Sequence, residues 1–135
     1  MFRLLVVEDQ ADFYEDYLLR IFEKLLPMEK ISVVHVPSLD AAIVALPEPW
    51  DVILMDYSMG PGTTFLGDPV RDGGDLTALR RAIEGTQDIP KAFILGTSSN
   101  QVGNRLMQER GADNTVLKIQ VPEMAKLIEG VLNSE

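Results

Sequence analysis

The 135-residue sequence contains no cysteine, one histidine and one tryptophan. Without cysteine the chain has neither a disulfide framework nor a thiolate metal site, which favours a reducing, cytoplasmic location. No apolar run approaches the roughly 18 residues of a membrane span. The apolar run before Glu8 is also too short for a signal peptide. We therefore expect no membrane span and no secretory signal.

Basic residues are scarce as well. The chain has 12 lysines and arginines against 21 acidic residues, for a net charge of −9, and its only adjacent basic pair is Arg80-Arg81. Direct nucleic-acid binding requires a basic surface, so this function is not expected. The acidic balance suits binding of cations or of basic partner surfaces, and it also promotes solubility.

Short apolar runs alternate with segments of helical periodicity along the whole chain. The runs predict strands at 3–7, 31–36, 51–55, 91–95 and 114–118. The periodic segments predict helices at 11–26, 38–46, 74–85, 99–111 and 121–132, with Ser38 as a cap and with left-handed ends at Gly85 and Gly111. We expect an α/β fold with a doubly wound five-stranded parallel sheet, strand order 2-1-3-4-5 and five helices. Residues 1–135 are expected to form a single domain.

Polar residues follow the apolar runs at the carboxyl ends of the predicted strands. They are Glu8 and Asp9 after the first strand, Asp56 after the third, Thr97 after the fourth and Lys118 after the fifth. In an open α/β sheet, ligands bind at this edge, near the point where the strand order reverses. Each residue alone also suits a helix cap, a turn or a solvated strand end. Capping rules do not, however, place all five on one edge.

The chemistry of these residues indicates phosphoryl transfer. Three clustered carboxylates repel one another unless a cation neutralises them, and oxygen ligands without histidine or cysteine select a hard ion such as Mg²⁺. A nearby ammonium and a hydroxyl group stabilise a transferring phosphoryl group. An aspartate can itself be the nucleophile. We therefore predict that Asp56 accepts a phosphoryl group.

Four segments of the chain, "LLVVED", "DVILMD", "FILGTSS" and "GADNTVLK", resemble in order and spacing the signature segments of response-regulator receiver domains, which belong to two-component signal transduction. The likeness covers nearly the whole chain. It implies that Asp56 is the phosphoacceptor and that Glu8 and Asp9 are the acidic pair, with Asp9 the direct Mg²⁺ ligand. It further implies a metal contact from the backbone carbonyl of Ser58. Thr97 and Lys118 match the residues that contact the phosphoryl group.

The resemblance also implies partners. A histidine kinase or phosphotransfer protein would donate the phosphoryl group, and a downstream protein of unknown identity would receive the signal. The usual output of the family is an altered surface on the last two helices. The domain is then no enzyme in the ordinary sense, because it catalyses only its own phosphorylation and dephosphorylation.

Three features depart from the family pattern. Thr115 stands where an aromatic residue is usual, and Ile119 stands where a proline usually follows the lysine. We expect a trans peptide bond at Ile119, because a cis bond without proline costs about 2.5–4 kcal/mol. The connection 57–74 is also long, since about 2–6 residues is ordinary for such a loop. It is either a tolerated surface insertion or a lid or partner loop beside Asp56.

Two other functions stay open. One is a pseudo-receiver, an interaction module that phosphorylation does not switch; the departures at Thr115 and Ile119 are compatible with it. The other is a metal-dependent phosphatase with an aspartate nucleophile, but such enzymes need a second aspartate at the position of Ser58. His35, with no histidine or cysteine companion, is predicted to be a packed or edge residue rather than a metal ligand.

Overall fold

The computed structural model describes residues 1–135. Seven strands are present: β1 (Phe2–Val7), β2 (Ile31–Val36), β3 (Val52–Asp56), β4 (Thr63–Phe65), β5 (Asp68–Val70), β6 (Phe93–Ser98) and β7 (Asn114–Leu117). Five of them form one parallel sheet in the order β2-β1-β3-β6-β7. The predicted order 2-1-3-4-5 of the five main strands is therefore confirmed.

Five helices accompany the strands, four of them between strands and the last after β7: α1 (11–25), α2 (Leu39–Ala45), α3 (Gly73–Gln87), α4 (Gln101–Glu109) and α5 (Val121–Asn133). Ser38 caps α2 as predicted, with its hydroxyl accepting a hydrogen bond from the N–H of Ala41 at 3.1 Å. Gly111 has the predicted left-handed conformation, with φ of 118°. The prediction for Gly85 is wrong, because α3 continues past it and Asp88 takes the left-handed position, with φ of 54°. None of the helices is long and apolar enough to cross a bilayer.

Helix α1 contains an irregular turn that the sequence analysis did not predict. Residues Tyr14–Leu18 form a π turn, and the N–H of Leu19 donates to the carbonyl of Tyr14, five residues earlier. Regular α-helical segments precede and follow it, at Ala11–Phe13 and Leu19–Leu25. One additional residue is thereby accommodated within an otherwise continuous helix.

The sheet is covered by apolar residues on both faces. Alternate strand residues point to opposite faces, so Val6, Leu54 and Leu95 join the core under α1 and α5. Their neighbours Val7, Met55 and Ile94 join the core under α2, α3 and α4. Burial on both faces explains why residues 4–7 of β1 and most of β3 read as unbroken apolar runs.

The long connection 57–74 contains an antiparallel hairpin of β4 and β5. Its two turn residues, Leu66 and Gly67, both have positive φ, at 52° and 86°, as in the tight turns that join short hairpins. Val70 is buried in the core, which anchors the second strand. At the base, the N–H of Gly73 donates to the carbonyl of Tyr57 at 2.8 Å. The connection therefore leaves and rejoins the fold beside Asp56.

Candidate functional site

The carboxyl ends of the central strands bring the predicted polar residues to one edge of the sheet. Asp56 and Thr97 lie side by side in the pairing of β3 with β6. By the two-residue period of a strand, both follow the rows of Leu54 and Leu95 toward α1 and α5. Lys118 comes directly after β7, and its N–H donates to the carbonyl of Ser98 at 2.8 Å.

Three carboxylates meet at this edge. Ligand oxygens of Glu8, Asp9 and Asp56 all lie within 4.8 Å of one another. Glu8 and Asp56 are only 3% and 2% exposed. Such a cluster with no nitrogen or sulfur donor fits a hard divalent cation, because like charges this close and this buried need neutralisation.

The cluster opens to solvent through a pocket of about 420 Å³. Asp9, Asp56 and Ser58 line it together with Lys118, and the remaining lining residues are Gln10, Phe13, Met59, Ser99 and Ile119. Ser58, predicted to contribute a backbone carbonyl, is thus beside the carboxylates. The pocket leaves room for a phosphoryl group next to the Asp56 carboxylate.

Lys118 joins the acidic cluster directly. Its Nζ lies 3.0 Å from Glu8 Oε1 and 3.2 Å from Asp56 Oδ2. Its third neighbour is the ring of Phe13, whose centroid is 4.8 Å from Nζ. The ammonium therefore offsets part of the charge of two buried carboxylates, which would be strongly unfavourable without a partner.

The electrostatics of the cluster shift two pKa values. Burial and then the neighbouring charge of Glu8 raise the pKa of Asp56 to about 7, although Lys118 acts in the opposite direction. Burial alone would lower the pKa of Lys118, but the charges and hydrogen bonds of Asp56 and Glu8 outweigh it and raise that pKa. A bound cation would favour the ionised, nucleophilic form of Asp56.

The alternative role of these residues as helix caps is not observed. Helix α1 begins after Gln10 without a side-chain cap, so Asp9 does not serve it. Helix α4 is capped by Asn100, whose side chain accepts from two backbone N–H groups. Thr97 is buried, and its carbonyl accepts a hydrogen bond from the N–H of Tyr57 at 2.9 Å. Asp9 and Thr97 therefore have no capping duty that explains their presence.

Two residues that the sequence analysis did not place at the site contact it. Phe13 lies in the first turn of α1, and its position four residues after Asp9 is the sequence signal that points to the site. His35, on the edge strand β2, contacts the backbone carbonyl of Glu8 through Nε2 at 2.7 Å. Its ring stacks on Tyr14 with centroids 4.0 Å apart. His35 is thus a half-buried edge residue, as predicted, and it also holds the backbone of the acidic pair.

Thr115 and Ile119, which depart from the family pattern, lie in β7 and just after it. No peptide bond in the chain is cis, so the bond at Ile119 is trans, as expected. Ile119 is 76% exposed at the mouth of the pocket. Thr115 lies beside Gly96 on the face of the sheet that packs against α4. It lines an open groove of about 610 Å³ between α4 and β7. No aromatic side chain lines this groove, and Thr115 is too small to fill it.

Comparisons with known proteins establish the fold. No protein-family model and no curated protein matches the sequence. The signal receiver domain of a DNA-binding response regulator from Colwellia psychrerythraea is similar over 98% of this chain and 99% of that chain, with a TM-score of 0.74 and 19% identity. The BeF3-activated DrrB receiver domain matches 98% of each chain, with a TM-score of 0.68 and 18% identity.

A third similar structure contains a modified aspartate. It is a response regulator from Burkholderia pseudomallei with a phosphorylated aspartic acid, a calcium ion and citrate. It matches 96% of this chain and 72% of that chain, with a TM-score of 0.65 and 20% identity. Together these comparisons show that the chain has the CheY-like fold of receiver domains.

Proposed function

We propose that this protein is a phosphoryl-accepting receiver domain of two-component signal transduction. In this proposal the protein is cytoplasmic, and Asp56 takes the phosphoryl group from a phosphohistidine of a histidine kinase or phosphotransfer protein. The observation that carries it is the environment of Asp56, a buried carboxylate between two further acids and the Lys118 ammonium. The receiver fold of the similar structures supports the same conclusion.

The acidic cluster is the proposed Mg²⁺ site. Glu8, Asp9 and Asp56 supply carboxylate oxygens, and Ser58 supplies its backbone carbonyl from the pocket wall. Mg²⁺ prefers a few carboxylates together with water and phosphate oxygens, and when bound it neutralises charge on the phosphoryl oxygens. Within the acidic pair, Glu8 already accepts hydrogen bonds from Lys118 and from the N–H of Gln10. Asp9 is therefore proposed as the member of the pair that binds the metal directly.

The residues of the chain have distinct proposed roles in the transfer. An oxygen of Asp56 attacks phosphorus, the bond from phosphorus to the donor imidazole breaks, and its electron pair returns to the ring nitrogen. Lys118 keeps its charge and moves one contact from a carboxylate to a phosphoryl oxygen. Thr97, adjacent to Asp56 in the sheet, donates its hydroxyl to another phosphoryl oxygen. Phosphorylation then alters the surface presented to a downstream protein.

The pseudo-receiver remains the second candidate, and the specific observation in its favour is Thr115. Receivers that switch through an aromatic residue need one at this position, whereas here a small side chain borders an open groove. The two candidates share a fold and differ in chemistry. A measurement of covalent phosphorylation therefore separates them.

Intact-mass analysis after incubation with acetyl phosphate and Mg²⁺ tests the proposal. We expect the mass of one added phosphoryl group, removable with hydroxylamine, and no addition to the Asp56→Asn variant. Asp68→Asn is the matched control, because Asp68 is an exposed carboxylate in the hairpin and its loss should leave the modification intact. An unchanged wild-type mass at saturating donor would identify the chain as a pseudo-receiver.

A further inference from the structure

The Lys118 ammonium is held on three sides, and only two of them are carboxylates. The third is the face of the Phe13 ring, 4.8 Å from Nζ. A cation over an aromatic face is attracted by the negative charge density of the ring, most strongly where water is excluded. Lys118 and Phe13 are both partly buried at the wall of the pocket that contains Asp56.

The π turn of α1 places Phe13 in this position. In a regular α-helix, Phe13 and Leu18, five residues apart, would point about 140° away from each other. The π turn lies between them, and its hydrogen bonds to the fifth preceding residue bring such pairs toward the same face. Leu18 is 2% exposed and belongs to the core on the sheet. Phe13 is therefore turned toward the sheet edge that carries Lys118.

The Phe13 ring also packs against a second aromatic ring of the same helix. The ring of Tyr17 lies 5.5 Å away, centroid to centroid, at an angle of 44°. Such tilted aromatic pairs are favourable and limit the freedom of both rings. A single turn of α1 thus supplies an aromatic face, an aromatic support and the altered helical phase that directs them.

We propose that Phe13 is a positioning residue that fixes the Lys118 ammonium for phosphoryl transfer to and from Asp56. This inference rests on the proposed function. During transfer, Lys118 must exchange a carboxylate contact for a phosphoryl oxygen without leaving the site. The ring accepts no strong hydrogen bond. It therefore keeps the ammonium inside the pocket while the ammonium N–H groups can still donate to carboxylate or phosphoryl oxygens. Deletion of the ring lets the ammonium follow the carboxylates or turn to solvent.

Two variants at position 13 and one at position 17 separate the effect of the aromatic face from that of side-chain bulk. Phe13→Leu keeps an apolar side chain but removes the ring, whereas Phe13→Tyr keeps the ring. Tyr17→Leu removes an aromatic residue of the same helix that does not contact Lys118. The rate constant for phosphorylation by acetyl phosphate is measured at saturating Mg²⁺ by intact mass. The rate constant for loss of the phosphoryl group to water is then followed after donor removal.

We expect Phe13→Leu to lower both rate constants, by about tenfold if the desolvated contact with the cation is lost in the transition state. Phe13→Tyr should restore them, and Tyr17→Leu should lower them less than Phe13→Leu does, because the ring that contacts Lys118 is kept. The resonances of the Lys118 ε-methylene should show an upfield ring-current shift in wild type and Phe13→Tyr that is lost in Phe13→Leu. Unfolding midpoints and Mg²⁺ affinity should change little.

Equal rate constants in wild type and Phe13→Leu would overturn the inference. Faster loss of the phosphoryl group in Phe13→Leu would also overturn it, because the ring would then act as a barrier to water. If wild type accepts no phosphoryl group, the proposed function fails and this inference fails with it. If wild type accepts one and Phe13→Leu does so equally fast, only the role of Phe13 is wrong.

Discussion

Asp56 combines two properties that a surface aspartate does not have, because it is almost fully buried and lies beside another acid. Without a cation, ionisation of this carboxyl group is opposed by lost hydration and by the charge of Glu8. Lys118 compensates only in part. The reactivity proposed for Asp56 and its cost to the fold therefore have the same origin.

This cost predicts a pH dependence of stability. The folded pKa of Asp56 is raised from the ordinary value of 3.8 to about 7. Between these values the folded state keeps a proton that the unfolded state releases, so this carboxyl group makes stability fall as pH rises from about 4 to about 7. Asp56→Asn cannot ionise. In urea unfolding with a metal chelator, the variant should gain stability relative to wild type as pH rises from 5 to 8.

Parallel stability profiles of the two proteins would contradict this assignment. Asp68→Asn serves again as the control, because Asp68 is exposed in the hairpin. Addition of Mg²⁺ at pH 8 should stabilise wild type more than Asp56→Asn, since a ligand that binds only the folded state raises its stability.

The metal ligands differ in their expected importance. Asp9 has no other side-chain partner, whereas Glu8 already accepts from Lys118 and from the N–H of Gln10. Asp9→Ala should weaken Mg²⁺ binding by at least about tenfold, and Glu8→Ala should weaken it less. Calorimetric titration with Mg²⁺ measures both affinities. Equal affinity in wild type and Asp9→Ala would show that Asp9 is not a direct ligand.

Among the elements, α3 has the tightest link to the site because it begins where the long connection returns. A Cβ atom on Gly73 would lie 2.1 Å from the carbonyl oxygen of Asp56. Only glycine permits this approach of the helix start to the end of β3. The hydrogen bond from the N–H of Gly73 to the carbonyl of Tyr57 then fixes the backbone directly after Asp56.

Two glycine substitutions in α3 are predicted to have opposite effects. Gly73→Ala should destabilise the fold by about 1–3 kcal/mol or more, because backbone atoms must move to relieve the overlap. Gly85→Ala is the matched control in the same helix, since a Cβ there meets nothing within 4 Å. It should stabilise the fold by about 0.5–1 kcal/mol through its better helix propensity. Chemical denaturation of both variants checks the signs, and a tolerated alanine at 73 would contradict the packing argument.

The sequence was sufficient for the regular elements and insufficient for the local irregularities. Strands such as 51–55 are buried on both faces, so their apolar runs are unmistakable. The π turn adds one residue to a helix and only blurs its periodicity. The hairpin strands have three residues each, and Pro69 interrupts the second, so neither gives a strand pattern. The end of α3 was misplaced because Asp88, rather than the nearby Gly85, adopts the left-handed conformation.

At the site, too, residues at strand ends could be predicted from the sequence, whereas contacts that depend on helix phase or strand register could not. The positions of Glu8, Asp56 and Lys118 followed from strand ends, because parallel strands align their carboxyl ends at one edge. The contact of Phe13 with Lys118 depends on the phase of α1, which the π turn sets. The contact of His35 with Glu8 depends on the register of β2 against β1, and sequence periodicity does not determine register.

At the scale of the whole molecule, the main question is where a signal at Asp56 would emerge. Thr115 is too small to exchange positions in the way that an aromatic residue does, and the groove beside it is already open. The connection 57–74, which contains the hairpin, in contrast begins at the residue after Asp56 and is closed at its base by Tyr57 and Gly73. It is also anchored in the core by Val70.

We therefore expect phosphorylation to act mainly on the hairpin. Hydrogen exchange with and without a beryllofluoride mimic should change protection in residues 57–74 and around Thr97, with little change along 113–118. The Asp56→Asn variant should show no response to the mimic. A dominant change on β7 and α5, with no change in the hairpin, would show that the usual output face of receiver domains operates here.

The hairpin combines a closed base with an exposed tip, and the tip offers a place for an insertion. A hydrogen bond between Tyr57 and Gly73 closes the connection at its base, and Val70 anchors its second strand in the core. Insertions are tolerated best at exposed loop tips, where few contacts of the fold are lost. The exposed tip at Leu66 and Gly67 is accordingly a natural insertion point for a fluorescent reporter. Inserted there, the reporter would turn the chemistry at Asp56 into an optical readout.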